Sequence, residues 1–361
     1  MRHLKRRYLL GAIALAAGLV VGLIVWRLCC PPPLYRVTIL PSLGGQPTFA
    51  RSLNDRGQVA GMAGMPWEDN RLFLWDREKG IRDLGPMVPS PIVINNAGQI
   101  SSTMLSDANQ AEAFLWEPGK GRMRLGPPGD KGSDATAMNN RGQIVGYSYD
   151  SAGHVRSFRW AEAAGMTQLH TPDGPNCAAL SINDAGQILV KSIGQGLSSD
   201  RWFLLDPNGS VSLDVFPRGA RPYSINNASC IAAVEHAGGP RLYLLFADRS
   251  RTWKRLFRIE AHSPVTRVND RNQIAYTEYT QSGWDDLEDR FVRSRFPLDR
   301  TVSYLWDPVR GRIPLDRYLR GLRRFMVEDL NNEGSIIGTA ETKDGQTRPV
   351  LLEPIPGRWG R

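Results

Sequence analysis

Nine residues, MNNRGQIVG (Met138–Gly146), are written seven times along this chain in variant form. The others are LNDRGQVAG from Leu53, INNAGQI from Ile94, INDAGQI from Ile182, INNASCI from Ile225, VNDRNQI from Val268 and LNNEGSIIG from Leu330. The asparagines that open them are Asn54, Asn95, Asn139, Asn183, Asn226, Asn269 and Asn331, at intervals of 41, 44, 44, 43, 43 and 62 residues. A fixed period of this size means that one supersecondary unit is copied. Each copy is too small to bury its own apolar faces, so it must pack on its neighbours.

Each unit reads as strands and tight turns. An apolar residue always precedes the asparagine. Asparagine suits the first place of a type I turn, and glycine suits the fourth, where the backbone turns left-handed. In VNDRNQI, Asn272 takes the glycine's place, and asparagine is the next-best residue there. In INNASCI the place falls to Ser229, a poorer residue that predicts a distorted hairpin. Short alternating runs follow, such as QIVGYS, then SFRW, then a second glycine turn and MTQLH. These predict four strands per unit, and no stretch after residue 33 carries a long helical period.

Further anchors keep step with the asparagine. Trp75, Trp116 and Trp160 follow it by 21 residues, and the corresponding places later hold Leu205, Phe246, Trp306 and Leu352. Gly80, Gly121, Gly165 and Gly209 follow by 26, and Leu84, Leu125, Leu169, Leu213 and Leu256 by 30. Allowing 16 extra residues in the sixth unit brings Gly311 and Leu315 into the same register. The fold class is therefore all-β: a seven-bladed β-propeller of four-stranded repeats, about 43 residues each. The seventh unit stops before a fourth strand, whereas LYRVTILPSLGG (Leu34–Gly45) precedes the first turn as an orphan strand. Pairing that strand into the last blade would close the ring and remove its open edges.

The string INN-x-GQIVG followed by F-x-W, Gly and Leu-Gly resembles the HAF repeat family of probable extracellular proteins. RLFLWDREKGIRDLG (Arg71–Gly85) and AEAFLWEPGKGRMRLG (Ala111–Gly126) are similar to the second half of its motif. The likeness runs over about residues 34–356, strongest in units 1–3 and degraded in units 4 and 5. It implies an exported, repeat-built β protein and supplies no catalytic residues. Trp-Asp pairs at 75–76 and 306–307 suggest WD repeats, but the glycine-histidine partner of that motif is missing.

Ahead of the repeats, residues 1–7 form a basic head, residues 8–26 run 19 long without a charge, and residues 27–33 form a Pro-rich linker. An uncharged run of that length predicts one membrane-spanning helix that serves as an uncleaved signal anchor. Four basic residues before it and one after it place the amino terminus in the cytoplasm and residues 34–361 outside it, in the periplasm or at the cell surface. Setting aside Arg2, Lys5, Arg6, Arg7 and Arg27 reduces the net charge from +9 to +4, with no basic stripe to suggest a nucleic-acid partner. Cys29, Cys30, Cys177 and Cys230 show no metal-ligand or disulfide spacing, and no cofactor motif appears.

Function is sought where the repeat is broken. The insertion in unit 6 falls between its second and third strands and carries Trp284, Asp285, Asp286, Glu288 and Asp289, then Arg290, Arg293 and Arg295. Long loops on rigid scaffolds often bind, although internal acid–base pairing explains these residues equally well. A second departure lies two residues before each turn asparagine. That place holds Ser52, Val93, Ala137, Ser181 and Ser224, then Arg267 and Asp329. Those two charges read either as a pair across blades or as a polar site in the central channel. No catalytic residue, metal site or cofactor is expected. The reading is a membrane-anchored extracytoplasmic module that binds a protein or envelope polysaccharide, and the alternative is a glycan hydrolase or lyase on the same scaffold.

Overall fold

The computed structural model describes residues 34–64, 70–106, 109–125, 131–193, 201–213, 216–217, 219–236, 242–247, 250, 252–259, 265–280 and 300–357. The predicted head, anchor and linker (1–33) lie outside the described residues. Among those described, no helix is long and apolar enough to cross a membrane. Contacts divide the chain into a large unit, Val37–Glu353, and a small one of Met1–Arg36 with Pro354–Arg361. In the small unit the Ile355 N–H donates to the Leu34 carbonyl at 2.8 Å.

The described strands form seven four-stranded antiparallel sheets, each one repeat of the chain, so the protein is a seven-bladed β-propeller. The first strands of the blades are Thr48–Leu53, Val93–Ile94, Ser133–Met138, Cys177–Ile182, Ala220–Ile225, Val265–Val268 and Arg323–Leu330. They pack on one another in succession and surround the axis. In the last blade the outermost place is taken by Tyr35–Ile39 from the amino-terminal end, beside Thr347–Pro354. The Leu40 N–H donates to the Pro349 carbonyl at 2.9 Å. The ends of the repeat region thus share one blade, as the orphan strand predicts.

The core lies between blades. Phe114 of blade 2 packs with Met62 and Leu74 of blade 1, and Phe158 of blade 3 packs with Leu115 of blade 2. Phe73 of blade 1 meets Ile337 and Leu351 of blade 7. Full burial of a side chain of this size contributes about 1.5–3 kcal/mol. A single blade cannot gain this alone, which is why the units come in a ring.

In six blades the first strand bulges just before its last two residues, for example between Ala135 and Ala137. The carbonyl before the bulge is then driven close to the second strand. At Gly146 an added Cβ would strike the Asp134 carbonyl oxygen and approach the Phe158 ring to 2.8 Å. Gly61 and Gly338 are confined in the same way. That close approach accounts for the second glycine of MNNRGQIVG.

Two expectations need correction. Ser229 does not distort its hairpin: it adopts φ 62° and donates its N–H to the Asn226 carbonyl at 2.9 Å, and Ile225 still pairs with Ile231. Its hydroxyl donates to Gln187 Oε1 at 2.6 Å, which helps offset the backbone strain. Phe246 is not the equivalent of Trp75. Val59 stands opposite Trp75, whereas Ile231 stands opposite Ala247. Phe246 instead faces blade 6, its ring 5.9 Å from Trp306.

Candidate functional site

The seven hairpins meet at the axis and share the same backbone bonds, and the five that carry glutamine add a side-chain bond to it. In blade 3 the Asn139 N–H donates to the Gln143 carbonyl at 3.0 Å and the Gly142 N–H to the Asn139 carbonyl at 3.1 Å. The Asn139 side chain completes the turn: Oδ1 accepts from the N–H groups of Arg141 (3.1 Å) and Gln143 (2.9 Å), and Nδ2 donates to Gln143 Oε1 at 2.8 Å. Asparagine suits the place because its short amide presents an acceptor oxygen and a donor nitrogen on separate atoms. The glutamine fastens the turn to the third strand, since Gln99, Gln187 and Gln273 donate to Glu117, Asp206 and Asp307. The acid at the end of the third strand escaped the sequence reasoning, although every repeat except the third carries one there.

Every turn asparagine also reaches the next blade. Its Nδ2 donates to the carbonyl of the following turn asparagine, from Asn54 to Asn95 and onward, at 3.0, 3.4, 2.9, 3.1, 2.8 and 2.9 Å. Asn331 returns the chain of bonds to Asn54 at 3.0 Å. The next residues form a second circle. Asp55, Asn96, Asn140, Asp184, Asn227, Asp270 and Asn332 each donate their backbone N–H to the Oδ1 of the following one, at 2.7–2.9 Å, ending at Asp55. Their remaining atoms pair as well. Asp55 Oδ2 accepts from the amides of Asn96 and Asn332, Asp184 Oδ2 from Asn140 and Asn227, and Asp270 Oδ2 from Asn227. The sequence signal was present, because the second turn residue is always Asn or Asp.

Beneath these circles lies the place that holds Arg267 and Asp329. Small size is not its whole purpose. Ser52 Oγ accepts the N–H of Ile94 at 3.2 Å, Ser181 Oγ that of Ile225 at 3.4 Å, and Ser224 Oγ that of Val268 at 3.3 Å. Asp329 does the same for Leu53 at 2.9 Å while also taking the N–H of Leu330 at 2.8 Å and the hydroxyl of Ser52 at 3.1 Å. Arg267 Nη1 stands 3.4 and 3.5 Å from its two carboxylate oxygens. The structure therefore brings Arg267 and Asp329 together across blades 6 and 7, and Asp329 further ties blade 7 to blade 1.

On the axis the turns enclose a cup of about 50 Å³, lined by residues of all seven hairpins and by Arg267. That is room for a few water-sized groups. Leu53, Ile94, Met138 and their equivalents line it along with the asparagine circle, and the second circle adds three carboxylates and four amides. Arg267 is 37% exposed and Asp329 9%. Among the described residues no group of three or more His, Cys, Asp or Glu could hold a metal ion.

The insertion candidates Trp284, Asp285, Asp286, Glu288, Asp289, Arg290 and Arg293 lie outside the described residues. The strands they join are Ile274–Thr280 and Arg300–Asp307, as the unit's register predicts. Tyr276 and Tyr304 stack across these strands with centroids 5.4 Å apart, and the Arg312 guanidinium lies 3.6 Å over the Tyr304 ring while pairing with Glu278. Charge is uneven in sequence: residues 216–268 hold nine basic and three acidic residues. Of those described, Arg255 is held by Glu235 and Arg267 by Asp329, while Arg221 and Arg258 stand on the innermost and outermost strands.

No known family's sequence profile matches the chain, and no curated protein matches it. Solved structures do. The β-propeller domain of the Trilobed protease from Pyrococcus furiosus is 10% identical, with 85% of this chain aligned to 96% of that one and a TM-score of 0.58. The acylaminoacyl peptidase of Pyrococcus horikoshii is also 10% identical, over 85% of this chain and 51% of its own, with a TM-score of 0.56. TolB from Acinetobacter baumannii is 13% identical, over 87% of this chain and 65% of that one, at a TM-score of 0.45. This chain thus spans about half the length of the peptidase and 65% of that TolB. At such identities the likeness to the two Pyrococcus proteins shows the propeller fold alone.

Proposed function

We propose that this protein is a non-catalytic binding module that presents the turn face of a rigid propeller to a partner. The supporting observation is the pair of closed hydrogen-bonded circles around the axial cup. They hold acceptors and donors from all seven repeats at fixed positions, so little ordering cost remains when a partner docks. The circles link main chain to side chain in a way that fits holding a surface still more directly than moving protons. The repeat string favours an exported HAF-like protein, and residues 8–26 favour tethering to the membrane with the propeller outside the cytoplasm. A partner there is an envelope protein or polysaccharide, with no part for nucleic acid.

The test is capture from fractionated envelope protein and polysaccharide, using the full chain in detergent, a variant lacking residues 279–298, and a triple variant Asp55→Asn, Asp184→Asn, Asp270→Asn. Retention of one component that is lost with the triple variant supports the turn face. Loss with the deletion alone moves the site to the insertion. Turnover of a glycan in the same fractions would replace the binding reading with that of a hydrolase or lyase.

A further inference from the structure

The cup combines two kinds of charge, and the circles hydrogen-bond the rim carboxylates without an opposite charge to neutralise them. Its first feature is Arg267. Asp329 is already supplied by two backbone N–H groups and a hydroxyl at 2.8–3.1 Å, so Arg267 is left with contacts of 3.4 and 3.5 Å. A guanidinium carries five donors in a planar fork that suits a carboxylate. Among the described contacts only Nη1 of Arg267 is engaged, and the residue lines the cup. The second feature is the rim. Asp55, Asp184 and Asp270 are spread among the seven positions, and asparagine serves the same backbone bond in the other four. The Oδ2 atoms of the three aspartates accept the amides of Asn96, Asn332, Asn140 and Asn227, yet among the described ion pairs none neutralises the three charges.

A simple anion would meet Arg267 but face the three rim carboxylates. A simple cation would suit the rim but meet the like charge of Arg267 and leave its donors unfilled. One guest answers both: a small zwitterion that carries its carboxylate to Arg267 and its ammonium to the rim, charge matched to charge. We infer that the axial cup binds a free α-amino acid, or a group of the same chemistry, with Arg267 as the carboxylate anchor and Asp55, Asp184 and Asp270 as the ammonium field. Glycine, with five non-hydrogen atoms, is of a size to displace the few water-sized groups the cup admits. This inference rests on the reading of the cup as a binding site and names its ligand class.

The test is calorimetric titration of the full chain in detergent with glycine, acetate and methylammonium. Glycine is expected to bind about tenfold or more tightly than either single-charge probe, the ratio one charge-assisted contact is worth. Arg267→Gln should weaken glycine about tenfold and leave methylammonium unchanged. The triple Asp55→Asn, Asp184→Asn, Asp270→Asn variant should weaken glycine by a similar factor without weakening acetate. It keeps an acceptor for the backbone bonds of the circle but gives up the Oδ2 acceptors, so its unfolding curve is recorded beside its titration. Equal affinity for glycine and acetate, glycine binding untouched by Arg267→Gln, or no glycine binding at all would overturn the inference. Failure here, with envelope capture by the turn face retained, removes the ligand class and leaves the binding reading standing.

Discussion

Asn331 donates through Nδ2 to the carbonyl oxygen of Asn54 at 3.0 Å, joining blade 7 to blade 1 and closing the inner circle. Its Oδ1 also accepts the N–H of Ser335 at 2.8 Å, and Asn331 is buried. Replacing it by alanine removes both bonds and leaves the buried Ser335 N–H unmet, while the Asn54 carbonyl keeps the Gly57 N–H, at a cost of about 1–3 kcal/mol. Urea unfolding followed by tryptophan fluorescence measures this directly. A loss under about 0.5 kcal/mol would mean that the circle is ornamental, since surface changes alone reach that size.

Asn331→Asp asks whether the donor or merely the shape matters. The new carboxylate keeps its acceptor toward Ser335 but turns an oxygen toward the Asn54 carbonyl. Its protonated form, which can still donate, is then favoured in the fold, so its folded pKa is raised. Stability relative to the native chain should be largest below the ordinary carboxylate range and fall as pH rises through the raised value. Unfolding at pH 4 and pH 7 checks the sign, and an equal deficit at both would refute it.

Asp329 belongs to the same seam but works through charge and backbone together. Asp329→Asn can still accept one of the two N–H groups, from Leu53 or Leu330, while its amide faces the other. One buried donor is left unmet, which costs about 1–3 kcal/mol. The paired Ser224→Ala, which removes an acceptor for one N–H in an ordinary blade, should cost less. Comparing the two unfolding midpoints separates the seam from the repeat.

Gly146→Ala tests the close approach beneath the bulge. The added methyl meets the Asp134 carbonyl and the Phe158 ring, and overpacking of this kind costs about 1–3 kcal/mol. Blade 5 carries Ala233 at the equivalent place, where Leu245 rather than phenylalanine stands opposite. Adding Phe158→Leu should therefore recover part of the loss, a coupling that a double-mutant cycle reads. Strict additivity would place the whole clash on the backbone.

The period, the four strands and the shared last blade were legible because each depends on residues near in sequence: a turn asparagine, a left-handed glycine, an alternating run. The circles were not. Asn139 to Asn183 spans 44 residues, and both look like ordinary turn formers, so local propensity already explained them. Nothing local says that the side-chain amide is shared with the next blade. Phe246 was misplaced for a related reason. Register in blade 5 follows from how its second and third strands pair, and this sets Ala247 opposite Ile231, one residue beyond the phenylalanine. Ser229 shows the reverse case, in which six sound turns around the ring impose on a poor residue the geometry it would not choose alone. Of the candidate site, Arg267 and Asp329 stood out because they broke a run of small residues. The neighbouring rim of Asp55, Asp184 and Asp270 did not, since those acids alternate with asparagine inside the motif itself.

Asp316 gives the native chain a pH dependence of its own. It opens the short 3-10 helix Asp316–Tyr318 after the sixth blade, where its Oδ2 accepts the Ser303 N–H at 3.2 Å. Burial raises its pKa above the ordinary 3.8, and the hydrogen bonds from Ser303 and its own N–H only partly oppose this. With the folded value raised, the native state holds its proton at pH values where the unfolded chain has released it. The contribution to stability is therefore present below the unfolded pKa and is lost as pH rises through the folded one. Asp316→Asn removes that titration while keeping an oxygen toward Ser303. The variant should match the native chain in acid and exceed it at neutral pH, so the difference between their unfolding free energies should grow from pH 3.5 to pH 6 and then level. A difference that stays flat across that range would show that the carboxylate titrates alike in both states.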